Sequence, residues 1–410
     1  MSKNKLGKFF ETYLEKDSLF LDKGALQASY MPGEIQHRDD QIEQIAGILA
    51  PVLKLDVPSN LFIYGKTGTG KTLTVKYISD QMLSLAKEKK LPVEILYLNC
   101  KLKKIADTEY RLIAELARHF GKAIPATGLP TDEVYNIFYK AVDEKKRNII
   151  IVLDEIDELI RKTGNDLIYN LTRINTSLVN SKVSLIGISN VLTFVNVLDP
   201  RVKSSLSEEE IVFPPYNAIQ IQNILRSRVE NAFVENVVES GVVEKCAAYA
   251  ARDHGDARRA LELMRVAGEL AERKNQKTVM IENIDDAEDK IEKDRVLEII
   301  KSQPKQFQIT LYAIMKHKPK NSKDKIFTGD IYDKYKDICS RVGLRPLTQR
   351  RVSDIIAEFD MLGIINCRVL SKGRYGRTRE ITPSIPESME IKALEILEED
   401  LEIKGKNELF

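Results

Sequence analysis

Five short apolar segments alternate with helix-forming segments in the first half of the chain. Apolar runs of this length are typical of strands that are buried on both faces of a parallel sheet. The segments are Leu61–Tyr64, Val93–Asn99, Ile149–Leu153, Val183–Asn190 and Glu210–Phe213. Strands that alternate with helices pair in parallel and are covered by those helices, so the pattern predicts a three-layer α/β domain over residues 1–213, with an N-terminal extension.

The pattern becomes helical after residue 213. Pro214 and Pro215 in "FPPY" end the last strand. The segments "IQIQNILRSRVENAF" and "DARRALELMRVAGELAERK" then have the periodicity of amphipathic helices. We therefore predict a small helical domain over residues 214–293.

A helix followed by two strands is predicted near the C-terminus. The helix lies in "LTQRRVSDIIAEFDMLG", with Thr348 as a candidate N-cap. Its apolar stripe consists of Val352, Ile355, Ile356, Phe359 and Leu362, and the residues that face away include Arg350, Asp354 and Ala357. The segments "IINCRVL" and "REIT" are strand-like, with the turn "SKGRYGRT" between them and Pro383 at the end. This order completes a winged helix, which we place at residues 294–385, before an acidic tail at residues 386–410.

Charge is distributed unevenly along the 410 residues, although the net charge is only +2. Residues 295–380 hold 19 Lys and Arg against 9 Asp and Glu, whereas residues 381–410 hold 3 against 8. A basic region in a nearly neutral protein indicates either a polyanion partner or a solvated face. Composition alone does not decide between them.

Several function classes are not indicated by the sequence. No apolar run approaches the roughly 18 residues that a membrane span needs, and the N-terminus has no apolar signal segment. We therefore expect a cytoplasmic, nucleoid-associated protein with no membrane partner. The four cysteines are far apart and form no Cys-x-x-Cys pair, so we expect reduced thiols and neither a zinc site nor disulfides.

The first strand runs into a phosphate-binding sequence, "GKTGTGKT", and a helix-forming segment follows. Glycines let backbone N–H groups converge on phosphate oxygens, and the helix N-terminus adds its positive dipole end. The residues predicted to bind the cofactor here are Gly65, Lys66, Thr67, Gly68, Thr69, Gly70, Lys71 and Thr72. Lys71 can reach the β and γ phosphates and the Thr72 hydroxyl can bind Mg²⁺, so we predict ATP or ADP with magnesium.

An apolar strand that ends in acids, "NIIIVLDEID", supplies the second half of such a site. Asp154 is the expected magnesium partner, and Glu155 is placed to orient or deprotonate the attacking water. Asn190 ends another strand at the same edge. Its amide is predicted either to hold the water or the γ phosphate, or to be a turn residue.

These motifs together resemble an AAA+ ATPase with a helical lid, and more narrowly the archaeal origin-recognition and cell-division-control initiator family. The motifs are the phosphate loop, "LDEID", "GISN", "LDPRVKSSL", "FPPY", "GDARRAL" and, at the N-terminus, "PGEIQHRDDQIEQI". The segment "DTEYRLIAELARHFG" and the basic C-terminal module narrow the resemblance to the initiators.

The resemblance implies roles for residues outside the phosphate loop. His37 and Arg38 match a box beside the adenine, with capping of a helix near Asp39 as the alternative. Asn190 matches the first sensor, and Arg258 the second, with Arg259 as its competitor. Tyr216 and Arg228 match positions that line the nucleotide site, although sequence alone makes both ordinary helix-surface residues. Arg201 matches an arginine finger that acts in trans, or forms a salt bridge if the protein works as a monomer.

The predicted winged helix supplies candidate DNA contacts. A recognition helix meets base edges near its N-terminal end, so Arg350 is the leading candidate, with Arg351 beside it. In the turn, cations surround an aromatic residue; these residues are Lys372, Arg374, Tyr375, Arg377 and Arg379. The alternative for them is protection of an edge strand. Tyr110 and Arg111 are candidates for a second DNA surface, or belong to an ordinary crossover helix.

The resulting hypothesis is an ATP-dependent replication initiator that binds duplex DNA at an origin. It helps to recruit or load the replicative helicase, acts with a paralogous initiator subunit, and uses slow ATP hydrolysis as a switch. The alternatives are a clamp loader or remodelling motor, and a DNA-binding transcriptional regulator with a structural nucleotide.

Overall fold

The structure is a computed structural model in which two compact units are seen, Met1–Asp285 and Asp286–Phe410. It describes residues 17–101, 108–125, 127–194, 198–206, 209–317, 326–371, 377–385 and 387–403. Within these ranges, no helix combines the length and the apolar character that crossing a bilayer requires.

A five-stranded parallel sheet forms the centre of the first unit. Its strands are β1 Leu61–Gly65, β2 Val93–Asn99, β3 Asn148–Asp154, β4 Lys182–Ser189 and β5 Glu209–Phe213, in the order β2-β3-β4-β1-β5. Every pairing is parallel. The predicted α/β fold is therefore confirmed, and each predicted strand end lies within one residue of the observed end.

Both faces of this sheet are covered, as the continuous apolar runs predict. On one face Phe62 and Ile151 pack in a cluster with Leu112 and Phe138 of the covering helices. On the other face the neighbouring residues Ile63 and Ile150 pack in a second cluster with Ile45 and Val75. Successive strand residues point to opposite faces, so a strand can serve both clusters only if every residue is apolar.

The helices of the first unit fall into two groups. Those that accompany the sheet are α1 Asp39–Leu49, α2 Lys71–Glu88, α3 Glu109–His119, α4 Thr131–Val142, α5 Ile156–Thr163, α6 Asp166–Thr172 and α7 Pro200–Leu206. The helical region predicted after Pro215 contains α8 Ala218–Ala232, α9 Val242–Arg252 and α10 Ala257–Arg273. Short 3-10 helices occur at Lys23–Leu26, Ala50–Lys54 and Ile174–Thr176. Helix α8 starts at a capping box in which the side chains of Asn217 and Gln220 bond to each other's backbone N–H.

The second unit contains the predicted winged helix. It is preceded by helix α11 Ile281–Ser302, within which the boundary between the two units lies. Its further elements are α12 Lys305–Met315, β6 Ile326–Phe327, α13 Thr328–Val342, α14 Gln349–Met361, β7 Ile365–Ser371, β8 Arg377–Pro383 and α15 Glu387–Asp400. The strands form an antiparallel sheet in the order β6-β8-β7. Thr348 caps α14 by accepting a bond from the Arg351 N–H, as predicted.

One residue of the predicted apolar stripe on α14 lies elsewhere. Val352, Ile355, Ile356 and Phe359 are fully buried, but Leu362 is 44% exposed. Leu362 is the C-cap residue, so it follows the last residue of the helix and no longer shares its buried face.

The acidic segment after residue 385 contains helix α15, which packs on the winged-helix core. Met389, Ala393, Leu397 and Leu401 are buried, at a spacing of four residues that forms one helical stripe. Helix α15 also carries most of the acidic residues that give this segment its negative charge. Two of those acids also bind the core, because Asp400 accepts a bond from Gln308 and Glu398 accepts one from Tyr312.

Candidate functional site

A cleft in the first unit is bounded by the N-terminal segment, the phosphate loop and helices α8 and α10. It consists of two adjoining pockets that share Gly68, Gly70, Thr72 and Arg258. The first, here called the apolar pocket, has a largely apolar lining that includes Met31, Ile35, Leu73, Ile224 and Leu261. The second, the polar pocket, contains Lys71, Tyr97, Asn99, Asp154, Glu155 and Asn190. An apolar pocket beside a polar one suits a base and its phosphates.

The backbone of the phosphate loop requires glycine at two positions. Gly68 and Gly70 have φ values of 72° and 89°, which side-chain-bearing residues rarely adopt. A Cβ atom on Gly68 would lie 1.6 Å from Oδ1 of Asp256, and one on Gly70 would lie 2.8 Å from the Tyr216 hydroxyl. The loop can therefore approach the helical region this closely only because it lacks side chains there.

The Lys71 ammonium is buried and turned toward its own loop. Its Nζ donates to the carbonyl oxygens of Gly65 and Lys66, at 2.8 and 2.7 Å. Burial lowers the pKa of Lys71 to about 8, against an opposing effect of Asp154 and with a further lowering by Arg258. A phosphate group at this position would restore the favoured charge of the lysine.

The predicted magnesium residues are in direct contact. The Thr72 hydroxyl donates to Oδ2 of Asp154 at 2.8 Å, and the Glu155 N–H donates to Oδ1 at 3.0 Å. Mg²⁺ prefers hard oxygen ligands and commonly takes one or two from the protein, with the remainder from phosphates and water. A hydroxyl and a carboxylate beside the phosphate loop therefore fit this ion.

Glu155 adopts a strained backbone conformation at the end of β3. Its φ is 56°, in the left-handed region that a residue with a side chain rarely adopts. The carboxylate lies 3.5 Å from the Lys101 ammonium and is largely shielded from solvent. Asn190 lines the same pocket from the end of β4. The structure thus brings both residues to the site where the sequence predicts them.

The two neighbouring lid arginines point in different directions. Arg258 lines the phosphate pocket, whereas the Arg259 side chain lies 3.8 Å from Asp253. Asp256 caps α10 by accepting bonds from both backbone N–H groups. The Ala257 N–H donates to the Gly68 carbonyl at 3.2 Å, which joins the start of α10 to the phosphate loop. This geometry favours Arg258 over Arg259 as the second sensor.

Arg38 lies beneath the phosphate loop and does not line the apolar pocket. Its guanidinium donates to the carbonyl oxygens of Thr69 at 2.9 Å and Pro214 at 2.6 Å, and lies 3.8 Å from the centre of the Tyr216 ring. Burial lowers its pKa. The capping alternative does not describe it either, because α1 starts at Asp39 without a side-chain cap from Arg38.

His37 lies beside Arg38 but contacts the helical region. Its φ is 59°, and its Nε2 lies 3.2 Å from the Nδ2 of Asn223 in α8. It lines a separate pocket next to the apolar one. The structure therefore places the two residues of this box around the apolar pocket and not within its lining.

Tyr216 and Arg228 do line the apolar pocket, and both are buried, so they are not ordinary surface residues. The Arg228 guanidinium donates to the Ala25 and Tyr30 carbonyl oxygens at 3.4 and 3.5 Å and packs on the Tyr30 ring. Burial lowers its pKa. The N-terminal segment is thereby attached to α8 at the edge of the pocket.

Arg201 lies outside both pockets. Its guanidinium makes two hydrogen bonds to the Asp199 carboxylate, at 3.1 and 3.0 Å, and the side chain is 68% exposed. This is the salt bridge that the sequence offers as the monomer alternative. Exposure leaves the arginine accessible to a second subunit.

The candidate DNA contacts on α14 are exposed. Arg350 and Arg351 lie in the first turn, and Arg351 has a distant ion pair, 3.9 Å, with Glu358. Arg379 is engaged within the unit, because its guanidinium donates to both the carbonyl oxygen and the hydroxyl of Ser353. Lys372, Arg374 and Tyr375, and the side chain of Arg377, lie outside the described residues.

Of the candidates on the first unit, Tyr110 is engaged within its own domain. Its hydroxyl donates to the Pro125 carbonyl at 2.8 Å, and its ring packs against the sheet. Arg111 is exposed at the start of α3, where its N–H donates to Thr108. The structure favours an ordinary crossover helix for Tyr110.

Several residues of the cleft were not found from the sequence. Tyr97 and Asn99 belong to it because β2 lies next to β3 and ends at the same edge. The sequence predicts both strands but not that they are neighbours. The apolar lining residues Ile35, Ile224 and Leu261 come from three distant segments. No local pattern distinguishes these from core residues.

Comparison with known proteins places three family models along the chain. An AAA domain matches residues 56–195, a Cdc6 AAA+ ATPase-type lid domain matches residues 222–289, and the C-terminal winged-helix domain of CDC6 matches residues 298–393. Together they follow the order of the elements described above.

Full-length relatives are also similar. An ORC1-type DNA replication protein of Thermococcus onnurineus is 52% identical over 385 residues, which cover 93% of this chain and 92% of the relative. ORC1-type DNA replication protein 1 of Archaeoglobus fulgidus is 48% identical over 386 residues, covering 94% and 93%. The solved structure of the Aeropyrum pernix ORC1 protein in complex with DNA matches with a TM-score of 0.82 and 42% identity, over 95% of this chain and 99% of that one.

Proposed function

The chain belongs to the family of ORC1-type DNA replication proteins, and we propose that it is an ATP-dependent initiator that binds duplex DNA at a replication origin. It helps to recruit or load the replicative helicase there. The observation that carries this proposal is the presence, in one chain, of a phosphate site with Lys71, Thr72, Asp154 and Glu155 in one pocket and a winged helix with exposed arginines. Membership of the family favours this function over a clamp loader, a remodelling motor or a transcriptional regulator.

Nucleotide chemistry follows from the polar pocket. Lys71 and the loop N–H groups bind the phosphates, and Thr72 and Asp154 would hold Mg²⁺, which neutralises charge on the transferred phosphoryl group. Glu155 orients the attacking water and accepts its proton. Hydrolysis is slow in this proposal, and ADP is retained after phosphate leaves.

Hydrolysis acts as a switch through the helical lid. Arg258 faces the phosphate pocket, and the start of α10 is bonded to the phosphate loop. Loss of the γ phosphate removes the charge that Arg258 binds, which releases this helix. Arg201 serves as a finger toward a paralogous subunit on DNA.

The proposed domain limits are 1–213, 214–293, 294–385 and 386–410, with the last segment contributing helix α15 to the core of the winged-helix unit.

DNA binding is assigned to the winged helix. The relative from Aeropyrum pernix was solved in complex with DNA. Arg350 and Arg351 lie at the exposed N-terminal end of α14, where recognition helices meet base edges. Lys372, Arg374 and Arg377 of the predicted turn bind the sugar-phosphate backbone or a narrow minor groove.

A salt titration tests the DNA half of the proposal. Affinity for an origin duplex is measured by filter binding over a range of salt concentrations, with a single strand as the comparison. Phosphate contacts release counterions, so affinity should fall steeply with salt. A flat dependence for the duplex would contradict the proposal.

A further inference from the structure

The Asp154 carboxylate has a third hydrogen-bond donor that the phosphate-loop motif does not include. The Tyr97 hydroxyl donates to Oδ2 of Asp154, the oxygen that also accepts the Thr72 bond. With the Glu155 N–H on Oδ1, both oxygens are engaged. The plane of the carboxylate is therefore fixed from two sides.

The sheet explains how a tyrosine reaches this carboxylate. Strands β2 and β3 are neighbours, and their register pairs Tyr97 with Val152 and Asn99 with Asp154. Residues two positions apart point to the same face, so Tyr97 and Asp154 are diagonal neighbours within reach of a long side chain. The tyrosine ring crosses this diagonal and its hydroxyl meets the carboxylate beyond the end of β2.

A further contact holds the tyrosine ring in this orientation. The Lys76 ammonium of α2 lies 4.3 Å from the centre of the ring, an arrangement that attracts a cation to an aromatic face. The ring is thus held at its face while its hydroxyl bonds to Asp154.

We propose that Tyr97 is a positioning residue that holds the Asp154 carboxylate in the orientation needed to bind Mg²⁺ with a nucleotide. Thr72 cannot perform this task alone, because its oxygen is itself offered to the metal. Tyr97 has no such second role, so its bond persists when the metal binds. This inference rests on the proposed nucleotide function of the same pocket.

The test uses Tyr97→Phe in the full chain, with Mn²⁺ as the probe metal. Free Mn²⁺ is counted by electron paramagnetic resonance in the presence of ADP, and ADP affinity is measured separately in EDTA. Outer-shell partners of metal ligands typically change metal affinity by 10-fold or more. Tyr97→Phe should therefore weaken Mn²⁺ binding roughly 10-fold, while ADP affinity without metal stays unchanged.

Tyr64→Phe is the matched control, because that hydroxyl contacts Glu210 at 3.3 Å and lies on another strand of the same sheet. It should leave Mn²⁺ affinity unchanged, and thermal unfolding of both variants without ligand checks that the sheet is intact. Mn²⁺ binding by Tyr97→Phe that equals or exceeds wild type would overturn the assignment of Tyr97. If the wild type itself binds no Mn²⁺ with ADP, the nucleotide function fails instead.

Discussion

The phosphate pocket and the exposed end of α14 present their charges in opposite ways. In the pocket, Lys71 and Asp154 are buried and bonded to fixed neighbours. On α14, Arg350 is exposed and forms no ion pair within the described ranges, and Arg351 has a distant one. Buried groups act through exact distances, whereas exposed cations act through a field that salt screens.

The two regions are suited to different kinds of ligand. A buried polar pocket distinguishes ligands that place oxygen atoms correctly, because an unpaired buried group is costly. Exposed arginines can follow a long polyanion and adapt to its groove. Replacing single atoms should therefore have the larger effect on ligand binding in the pocket. Changing the salt concentration should have the larger effect on DNA binding by the winged helix.

The largest expected effect is on hydrolysis. Glu155→Gln removes the proton acceptor and keeps the shape of the side chain, so turnover should fall by on the order of 100-fold or more. ATP binding should be retained, since the loop and Lys71 are unchanged. Phosphate release and equilibrium binding measure the two effects separately, and unchanged turnover would refute the role of Glu155.

A second change concerns base recognition by α14. Arg350→Ala should weaken binding to the preferred duplex by about 1–3 kcal/mol, and much less to unrelated DNA. Arg351→Ala serves as the comparison on the same turn. Competition binding measures both, and equal losses on specific and unrelated DNA would reassign Arg350 to the backbone.

A third change concerns the wing. Arg374→Ala with Arg377→Ala should reduce the slope of log affinity against log salt by about 2, since each phosphate contact contributes about 1. ATP binding should not change. Unaltered DNA affinity and slope would return this hairpin to edge protection.

A pH series tests the burial of Lys71. Its pKa is lowered to about 8, so above pH 8 the free protein loses the charge and nucleotide binding must take up a proton. ADP affinity should thus fall about 10-fold between pH 7.5 and 9. Lys71→Arg keeps its charge over this range, so its affinity should be independent of pH; calorimetry that shows the same slope for both would contradict the explanation.

The smallest expected effect is at Arg379. Its guanidinium is occupied by Ser353, so Arg379→Ala should lower the free energy of unfolding by about 1–2 kcal/mol. Thermal unfolding measures the change. A loss of DNA affinity at unchanged stability would restore Arg379 as a DNA contact.

How far sequence could predict the site depends on how local each contact is. Lys71 and Thr72 follow from one continuous motif, and Asp154 from the end of one apolar strand. The family resemblance singles out Arg38, but its contacts could not be predicted, because its partners Thr69 and Pro214 are 31 and 176 residues away. Tyr97 lies in a predicted strand but carries no motif, and the sequence does not predict that this strand lies beside β3.

The same distinction applies to the fold. Strands that are buried on both faces are continuous apolar runs in the sequence, so the bounds of the parallel strands were predicted to within one residue. Strand β6 has two residues, too few for any periodicity. Helix α15 had a regular apolar stripe, but its acidic faces dominated the composition of the segment.

Footprinting on the origins of the source organism tests the central claim most directly. The full chain is incubated with origin DNA and ATP or ADP, with Arg350→Ala as the matched variant. We expect the full chain to protect a discrete site, and the extent of protection to differ between ATP and ADP. Arg350→Ala should lose this protection. Protection no greater than that of unrelated duplex DNA, with either nucleotide, would contradict it.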